Sequence, residues 1–202
     1  YVAKKMGLPI DKLVIATNVN DILARTLQTG RYEATGVVPS TSPSMDIEVS
    51  SNFERLVFEA CGRDAAVVTR LMQTLSQSGA FTLPEAAYAA IRGEFGAGRA
   101  SVEATADIIR RLRSEAGYLI DTHGGNGVVV AEAFTGGLVP MVTLATAHPA
   151  KFPDAVGAAT GERPALPAFL GDLMDRTERM TVLANDLAAV ESFVRQRARV
   201  LA

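Results

Sequence analysis

The stretch Leu138–Val156, LVPMVTLATAHPAKFPDAV, decides how the fold of this chain is interpreted. Residues 139–145 are apolar and rich in β-branched side chains, which predicts a buried strand, and the strand would end at Thr146 in a turn-like segment. Ligands of open α/β sheets bind beyond the carboxyl ends of the strands, so a ligand is expected near Thr146, His148 and Lys151. An ordinary polar loop after a buried strand fits the same pattern, and the pattern alone leaves both interpretations open.

The composition indicates an ordinary globular protein. Hydrophobic residues make up 48% and charged residues 21% of the 202 residues, which is unlike a disordered chain. The formal net charge of −2 provides no positive surface for nucleic acid or for an anionic membrane. Partners of these two kinds are therefore not expected.

The cysteine count and the apolar segments indicate the compartment. One cysteine, Cys61, cannot form a disulfide within the chain, and no Cys and His residues stand at zinc-ligand spacing, so no metal site is predicted. The most apolar windows are interrupted by charges, Gly or Pro well before the ~20 residues that a transmembrane helix needs. A cytoplasmic protein is the expectation.

The first residues predict that the chain is a piece of something longer. It opens at Tyr1 in YVAKKMGLP, without an initiator Met and without the residue order of a signal peptide. The segment instead resembles the last turns of a helix closed by Gly7.

The next segment has the pattern of an α/β unit. A short apolar strand is predicted over 11–17, and a helix over 21–29 that Gly30 ends. Asn18 and Asn20 lie between them and could cap the helix. Residues 31–46, rich in Thr, Ser, Pro and Gly, are predicted to form a loop.

Residues 47–117 are predicted to be nearly all helix, with a flexible connection at 93–99, GEFGAGR. Helices are expected over 47–62, 65–78, 84–95 and 101–117. A brief strand at 117–121 and a Gly-rich turn, THGGNG, should then precede a helix over 128–134. Further helices are predicted over 168–174 and 186–200, the last with Leu187, Val190, Phe193 and Val194 facing inward.

Two pairs of titratable residues have alternative interpretations. His123 beside Asp121 could be an oriented base, or it could serve in capping or packing. Asp46 and Glu48 could be a carboxylate pair for acid–base chemistry, or charges at the start of a helix, where the macrodipole favours them.

Four segments of the chain closely resemble threonine synthases. They are ATNVNDILARTLQTGRY (16–32), SPSMDIEVSSNFERLVFEACGRD (42–64), GYLIDTHGGNGV (117–128) and LATAHPAKFPDAV (144–156). The resemblance implies an α/β fold, that of the fold-type II pyridoxal-phosphate enzymes, with helices on both faces of twisted sheets. Residues 1–202 would then be the carboxyl-terminal part of the large, cofactor-binding domain, with 47–117 a mainly helical segment in it.

The resemblance also implies site residues. Thr146 would bind the pyridine nitrogen of pyridoxal 5'-phosphate through its neutral hydroxyl, which tempers the electron sink of the ring. Lys151 could face the substrate phosphate, or it could only be solvated or act in capping. Asn18, Asn20, Ser42 and Ser44 lie in matching blocks and would line the pocket.

Two family motifs do not occur in this chain. The Schiff-base lysine of the family lies in an AFKD-type block and the phosphate loop resembles GNFGN, and the sequence contains neither. The resemblance therefore implies no catalytic residue in this chain, which alone should be inactive without an amino-terminal portion of the same polypeptide. THGGNG also departs from the DPHTAVG pattern of the family.

The expected activity is conversion of O-phosphohomoserine and water to L-threonine and phosphate by γ-elimination and β-addition of water. Another pyridoxal-phosphate lyase or dehydratase of the same family fold is an alternative. A third interpretation is a non-catalytic α/β module that binds a small anion.

Overall fold

The computed structural model of this α/β chain describes residues 1–199. The chain divides into two units, Tyr1–Ala165 and Leu166–Ala202, and each is described by itself. The first unit contains every strand of the described residues and all the predicted site residues.

Helices and strands follow one another along the first unit in the order α1 (Val2–Lys5), β1 (Leu13–Thr17), α2 (Ile22–Thr29), β2 (Arg31–Glu33), α3 (Ser51–Ala60), α4 (Ala65–Ser78), β3 (Ala80–Thr82), α5 (Glu85–Glu94), β4 (Phe95–Arg99), α6 (Val102–Ala116), α7 (Thr122–Glu132) and α8 (Pro153–Thr160). Short 3₁₀ turns occur at Pro43–Met45 and Pro149–Lys151.

The strands form two pairs within the described residues. β1 and β4 are parallel, with Leu13 opposite Phe95 and Thr17 opposite Arg99. β2 and β3 are antiparallel, with Tyr32 opposite Phe81. The parallel pair places the residues that follow β1 beside the start of α6, which positions the candidate site.

The larger core cluster surrounds Tyr32, which is only 2% exposed. Its ring stacks on Phe81 at 4.9 Å and on Phe53 at 5.5 Å between ring centroids. Its hydroxyl donates to the Glu48 carbonyl and accepts from the Ser50 amide. Burial raises the pKa of the Tyr32 phenol. Its two hydrogen bonds attach the backbone before α3 to the core.

Most of the predicted helices are present at nearly the predicted positions. α4 has the predicted bounds, and α2 ends at Gly30, whose φ of 73° lies in the left-handed region that glycine adopts without strain. α3, α5 and α6 lie inside the predicted ranges. Asn18 and Asn20 do not cap α2, because its capping position is Asp21, without a side-chain hydrogen bond.

The flexible connection predicted over 93–99 is wrong, because Phe95–Arg99 forms β4. The glycines that suggested flexibility instead allow α7 to approach the strand. A Cβ atom at Gly96 would lie 2.6 Å from the ring of Phe134, and one at Gly98 would lie 2.7 Å from Val130. The glycines are required for close packing, as is common inside strands.

The Gly-rich turn predicted at THGGNG is also wrong. α7 already begins at Thr122 and includes all three glycines, and the predicted helix over 128–134 ends at Glu132. Asp121 caps the helix, accepting from the amides of His123 and Gly124 at 2.9 Å each. The brief strand predicted over 117–121 does not form, since Asp121 serves as a helix cap instead.

The three glycines of α7 lower its intrinsic helix propensity by about 1 kcal/mol each relative to alanine. Each of them permits a close contact. A Cβ atom at Gly124 would lie 2.8 Å from Ile120, and one at Gly127 would lie 2.8 Å from Thr143. Close packing around α7 therefore explains a sequence that resembles a turn.

The strand predicted over 139–145 is wrong. This segment has no strand partner among residues 1–199 and carries no regular secondary structure. Its apolar side chains face outward, with Val142 76% and Leu144 75% exposed. Apolar composition favours burial only where another element covers the segment, and within residues 1–199 the apolar side chains of this segment are left largely exposed.

The second unit is described through residue 199. The helix predicted over 168–174 is two 3₁₀ turns, Ala168–Leu170 and Leu173–Asp175. The terminal helix is α9 (Leu187–Arg197), and Val200 of its predicted range lies outside the described residues. Its predicted inward face is wrong within this unit, since Leu187 is 74% exposed and no side chain of the helix is buried.

No helix within residues 1–199 is both long enough and apolar enough to cross a membrane.

The packing of β4 against α7 generates a stability prediction. Gly98→Ala should lower the free energy of unfolding by about 1–3 kcal/mol, because the new methyl group would overlap the stiff, buried Val130 side chain. Urea denaturation monitored by circular dichroism measures this change. Gly93→Ala is the matched control: it lies in α5 with no atom within 4 Å of the added methyl, and should be neutral or stabilising. Equal effects of the two substitutions would contradict the packing argument.

Candidate functional site

Asp46 organises the polar residues that follow β1. Its Oδ1 accepts from the side-chain amides of Asn18 and Asn20 at 2.7 and 2.9 Å and from the Ser40 hydroxyl at 2.7 Å. Its Oδ2 accepts from the Ser40 amide at 2.7 Å. Asn18 and Asn20, 3% and 8% exposed, are therefore held by a carboxylate that they share.

Asn20 and Asn18 also bind the backbone. Asn20 exchanges two hydrogen bonds with the main chain of Val38, donating to its carbonyl and accepting from its amide. The Asn18 carbonyl oxygen accepts from the Asn20 amide. Asn18 and Asn20 therefore connect the loop over 34–46 to the end of β1. The family resemblance had placed these two side chains along the pocket.

Glu48 fastens the other end of this loop. Its carboxylate accepts from the backbone amides of Thr35 and Gly36, with the shortest distances 2.8 and 2.7 Å, and lies 3.7 Å from Arg25. Burial alone would raise the pKa of Glu48, but the hydrogen bonds from Thr35 and Gly36 and the nearby guanidinium outweigh it, and the pKa is lowered. The carboxylate is therefore ionised at neutral pH.

These contacts settle the alternatives for Asp46 and Glu48. α3 begins only at Ser51, so neither residue is a charge at a helix start. The two carboxylates bind different partners and make no acid–base pair. Both act as acceptors for amides of the 34–46 loop.

Ser42 and Asn126 join this loop to α7. The Asn126 amide donates to the Ser42 hydroxyl at 2.7 Å and to the Thr122 carbonyl at 2.8 Å, and its carbonyl oxygen accepts from the Thr105 hydroxyl of α6. Thr122 in turn donates to the carbonyl of Thr41. Ser42 is 1% exposed and Asn126 is 2% exposed, so this hydrogen-bonded junction is buried.

His123 has partners on both ring nitrogens. Nδ1 lies 2.8 Å from the Asp121 carboxylate, and Nε2 accepts from the Ser44 amide at 3.3 Å. The ring also packs against Phe152, with 4.4 Å between centroids. A side chain that is 7% exposed and bound in this way is not a free base, so the interpretation of His123 as a capping or packing residue is the better one.

Thr146 and Lys151 lie on the surface of the first unit. Both are exposed, and neither side chain makes a hydrogen bond to another of residues 1–199. The Lys151 ammonium is 5.8 Å from the centre of the Phe152 ring. The 148–152 turn begins with His148, whose Nδ1 accepts from the Ala150 amide at 3.2 Å.

The structure thus brings together most of the predicted residues. The network of Asn18 and Asn20, the loop with Ser42 and Ser44, and the turn with Lys151 all connect to α7 or to the loop it holds. No hydrogen bond connects Thr146 to this network within the described residues. The sequence missed Asp46 and Asn126 as organising residues, although a buried asparagine inside a glycine-rich stretch was a usable signal.

A large cleft lies elsewhere in the first unit. It has a volume of about 1180 Å³ and is lined largely by apolar side chains of α1, α3 and α4, among them Val2, Phe53, Leu56 and Val68. None of the predicted site residues lines it. The candidate site is therefore defined by hydrogen bonding around α7 and not by this cleft.

The lowered pKa of Glu48 predicts a pH-dependent contribution to stability. Glu48→Gln replaces one carboxylate oxygen by an NH2 group, which cannot accept from the Thr35 or Gly36 amide. We expect the free energy of unfolding to fall by about 1–3 kcal/mol near pH 7. Because the folded-state pKa is depressed, this contribution should be present above the unfolded value, about 4.3, and disappear as the pH falls through the folded pKa.

Urea denaturation of wild type and variant between pH 3 and 8 measures this difference. Glu115→Gln, at an exposed position of α6, is the control and should change stability by less than about 0.5 kcal/mol. A Glu48→Gln effect that stays constant down to pH 3 would contradict the assignment.

Comparisons with known proteins identify the family. A family profile described as "Threonine synthase, C-terminal" matches residues 126–194. The threonine synthase of Pseudomonas aeruginosa is 46% identical over 97% of this chain and 42% of its own length. The chain therefore spans less than half the length of this relative.

Two solved structures are similar over nearly the whole chain. A pyridoxal-phosphate-bound threonine synthase from Brucella melitensis has 60% identity and a TM-score of 0.88, over 99% of this chain and 43% of that one. The yeast threonine synthase has 34% identity and a TM-score of 0.82, over 97% and 44%. The predicted α/β fold of fold type II is confirmed. The chain belongs to the threonine synthase family, and it corresponds to the carboxyl-terminal region of its longer members.

Proposed function

We propose that this chain is part of a threonine synthase, which converts O-phosphohomoserine and water to L-threonine and phosphate with pyridoxal 5'-phosphate. The observation that carries the proposal is the 60% identity, over 99% of the chain, to a pyridoxal-phosphate-bound threonine synthase. The reaction releases phosphate by γ-elimination and adds water at the β-carbon, which makes the enzyme a carbon–oxygen lyase acting on a phosphate ester.

The donor chemistry of the exposed residues fits this cofactor. Thr146 presents a hydroxyl that no other described residue binds, and a neutral hydroxyl can hydrogen-bond a pyridine nitrogen. When bound, pyridoxal phosphate supplies an electron sink for proton removal from the substrate. In the proposal Thr146 orients the ring and, being uncharged, leaves its nitrogen less firmly protonated than a carboxylate would.

Lys151 is proposed to bind the substrate phosphate. Its ammonium is exposed and has no carboxylate partner within the described residues, so it is available to an anion. As a compact charge on a flexible stem, it can follow a phosphate that leaves during the reaction. Solvation alone remains the alternative role for this side chain.

The predicted wall residues contribute in different ways. Ser44 has an exposed side chain and can contact a ligand directly, whereas the side chains of Asn18, Asn20 and Ser42 are buried and bound. We propose that these three stabilise the conformation of the loop over 34–46, which forms one side of the ligand site. Thr146 and Ser44 thus provide the neutral ligand-binding groups of the proposed site.

The catalytic amine is proposed to come from another part of the polypeptide. The lysines of this chain are Lys4, Lys5, Lys12 and Lys151, and none lies in an AFKD-type block. We propose that residues 1–202 form the carboxyl-terminal part of the large domain and that an amino-terminal portion supplies the Schiff-base lysine. The lone Cys61, with no cysteine partner in this chain, accords with a cytoplasmic enzyme.

Phosphate release tests the proposed reaction. The full-length protein, loaded with pyridoxal phosphate, should release phosphate from O-phosphohomoserine and form threonine in equal amounts. A colorimetric phosphate assay and chromatography of the amino acid measure the two products. O-phosphoserine, which has one methylene fewer, is the control substrate. Release of phosphate without threonine would indicate a different lyase, and no release would overturn the proposal.

Substitution of Thr146 tests its cofactor contact. Thr146→Val keeps the shape but removes the hydroxyl, so we expect pyridoxal phosphate to bind about two- to tenfold more weakly, the equivalent of one hydrogen bond. Thr146→Ser keeps the hydroxyl and is the matched control. Titration of the apoenzyme, followed by cofactor absorbance, measures the affinity. Unchanged absorbance and affinity in Thr146→Val would contradict the assignment.

A further inference from the structure

The Asp121–His123 pair lies between two segments that carry predicted site residues. One edge of the His123 ring meets the backbone amide of Ser44, and one face packs on Phe152, the residue after Lys151. The pair is nearly inaccessible, with Asp121 fully buried. Its position is therefore suited to holding these segments relative to one another.

The partners of His123 fix which nitrogen carries the proton. The Ser44 backbone amide can only donate, so Nε2 must be the accepting nitrogen. Nδ1 faces a carboxylate oxygen of Asp121 at 2.8 Å and therefore donates. These contacts place the ring proton on Nδ1, because a proton on Nε2 would point at the Ser44 N–H.

The Asp121 carboxylate accepts from three N–H donors in this arrangement. One oxygen accepts from the Gly124 amide, and the other accepts from the His123 amide and the His123 ring. The carboxylate that caps α7 thus also selects the tautomer of the histidine in the first turn. Carboxylates orient imidazoles in the same way in catalytic and metal sites.

We propose that His123 is a positioning residue of the ligand site. Through its Nε2 acceptor it holds the Ser44 backbone, and through its ring face it holds Phe152, so that Ser44 and Lys151 are presented to one ligand. This inference rests on the proposed function, since the ligand in question is the phosphate substrate. His123 itself does not touch the ligand.

Two substitutions separate positioning from simple packing. His123→Gln places an amide oxygen near the position of Nε2 and can still accept from Ser44. His123→Asn places its amide near the position of Nδ1, so it keeps the donor to Asp121 and loses the acceptor for Ser44. A histidine that only fills space would give two variants with similar defects.

The kinetic test uses the full-length protein loaded with pyridoxal phosphate. We expect His123→Asn to raise KM for O-phosphohomoserine about tenfold or more with a smaller change in kcat, since the lost interaction positions binding groups. His123→Gln keeps the acceptor for Ser44 but loses the ring packed against Phe152, so we expect a smaller rise in KM, about threefold. Equal KM values for the two variants would overturn the proposal.

A spectroscopic test reports on the wild type directly. A long-range ¹H–¹⁵N spectrum of the imidazoles should show His123 protonated on Nδ1 and bare on Nε2, with the signals identified by their loss in His123→Gln. His148, whose Nδ1 accepts from the Ala150 amide, is the internal reference. Finding His123 protonated on Nε2 would overturn the proposal whatever the kinetic constants of the variants.

Asp121→Asn provides an independent variant. It should replace the acceptor beside Nδ1 by a donor and shift the proton to Nε2, against the Ser44 amide. We expect its KM to rise as in His123→Asn. A wild type that releases no phosphate would overturn the proposed function but not the positioning role of His123. Two measurements then decide that role: the tautomer of His123, and the protection of the Ser44 amide from hydrogen exchange, which should be greater in His123→Gln than in His123→Asn.

Discussion

The buried Asp121 carboxylate is the constraint on which the arrangement of the candidate site depends. A fully buried charge is stable only when its hydrogen-bonding capacity is used, and three N–H groups at the start of α7 use it. The same contacts begin the helix and orient His123. Because α7 then presents Asn126 to Ser42, the position of the 40–46 loop follows from where this helix begins.

Close packing brings α7 into that position. Gly96 and Gly98 on β4 leave room for Phe134 and Val130, and the glycines within α7 leave room for side chains from α6 and from the 117–121 and 139–145 segments. Glycine weakens both helices and strands locally, so these positions lower the intrinsic stability of β4 and α7. In return, β4 and α7 can pack closely against neighbouring side chains. The close approach that the glycines allow accompanies the buried junction between Asn126 and Ser42.

Secondary-structure elements that depend on local sequence patterns were predicted correctly, and elements that depend on tertiary contacts were missed. α2 and α4 follow from helical periodicity with a glycine at the end, and β1 from a short apolar run. β4 and the first turn of α7 were misassigned because their glycines are required by close contacts with other elements, and these contacts are not visible in the local sequence. The 139–145 segment was misassigned for the opposite reason: its composition favours a strand, but no strand within residues 1–199 pairs with it.

The site residues divide in the same way between bound and available groups. Asp46, Glu48 and Asp121 each accept several hydrogen bonds from neighbouring N–H and O–H groups, and both ring nitrogens of His123 have partners. Among the predicted site residues, the side chains left to a ligand are the hydroxyls of Thr146 and Ser44 and the ammonium of Lys151. Such groups bind, orient and neutralise charge, whereas the proposed reaction also needs a base at the substrate carbon. In the proposed enzyme this base would be an amine from another part of the polypeptide, and Thr146, Ser44 and Lys151 would bind and orient the ligand.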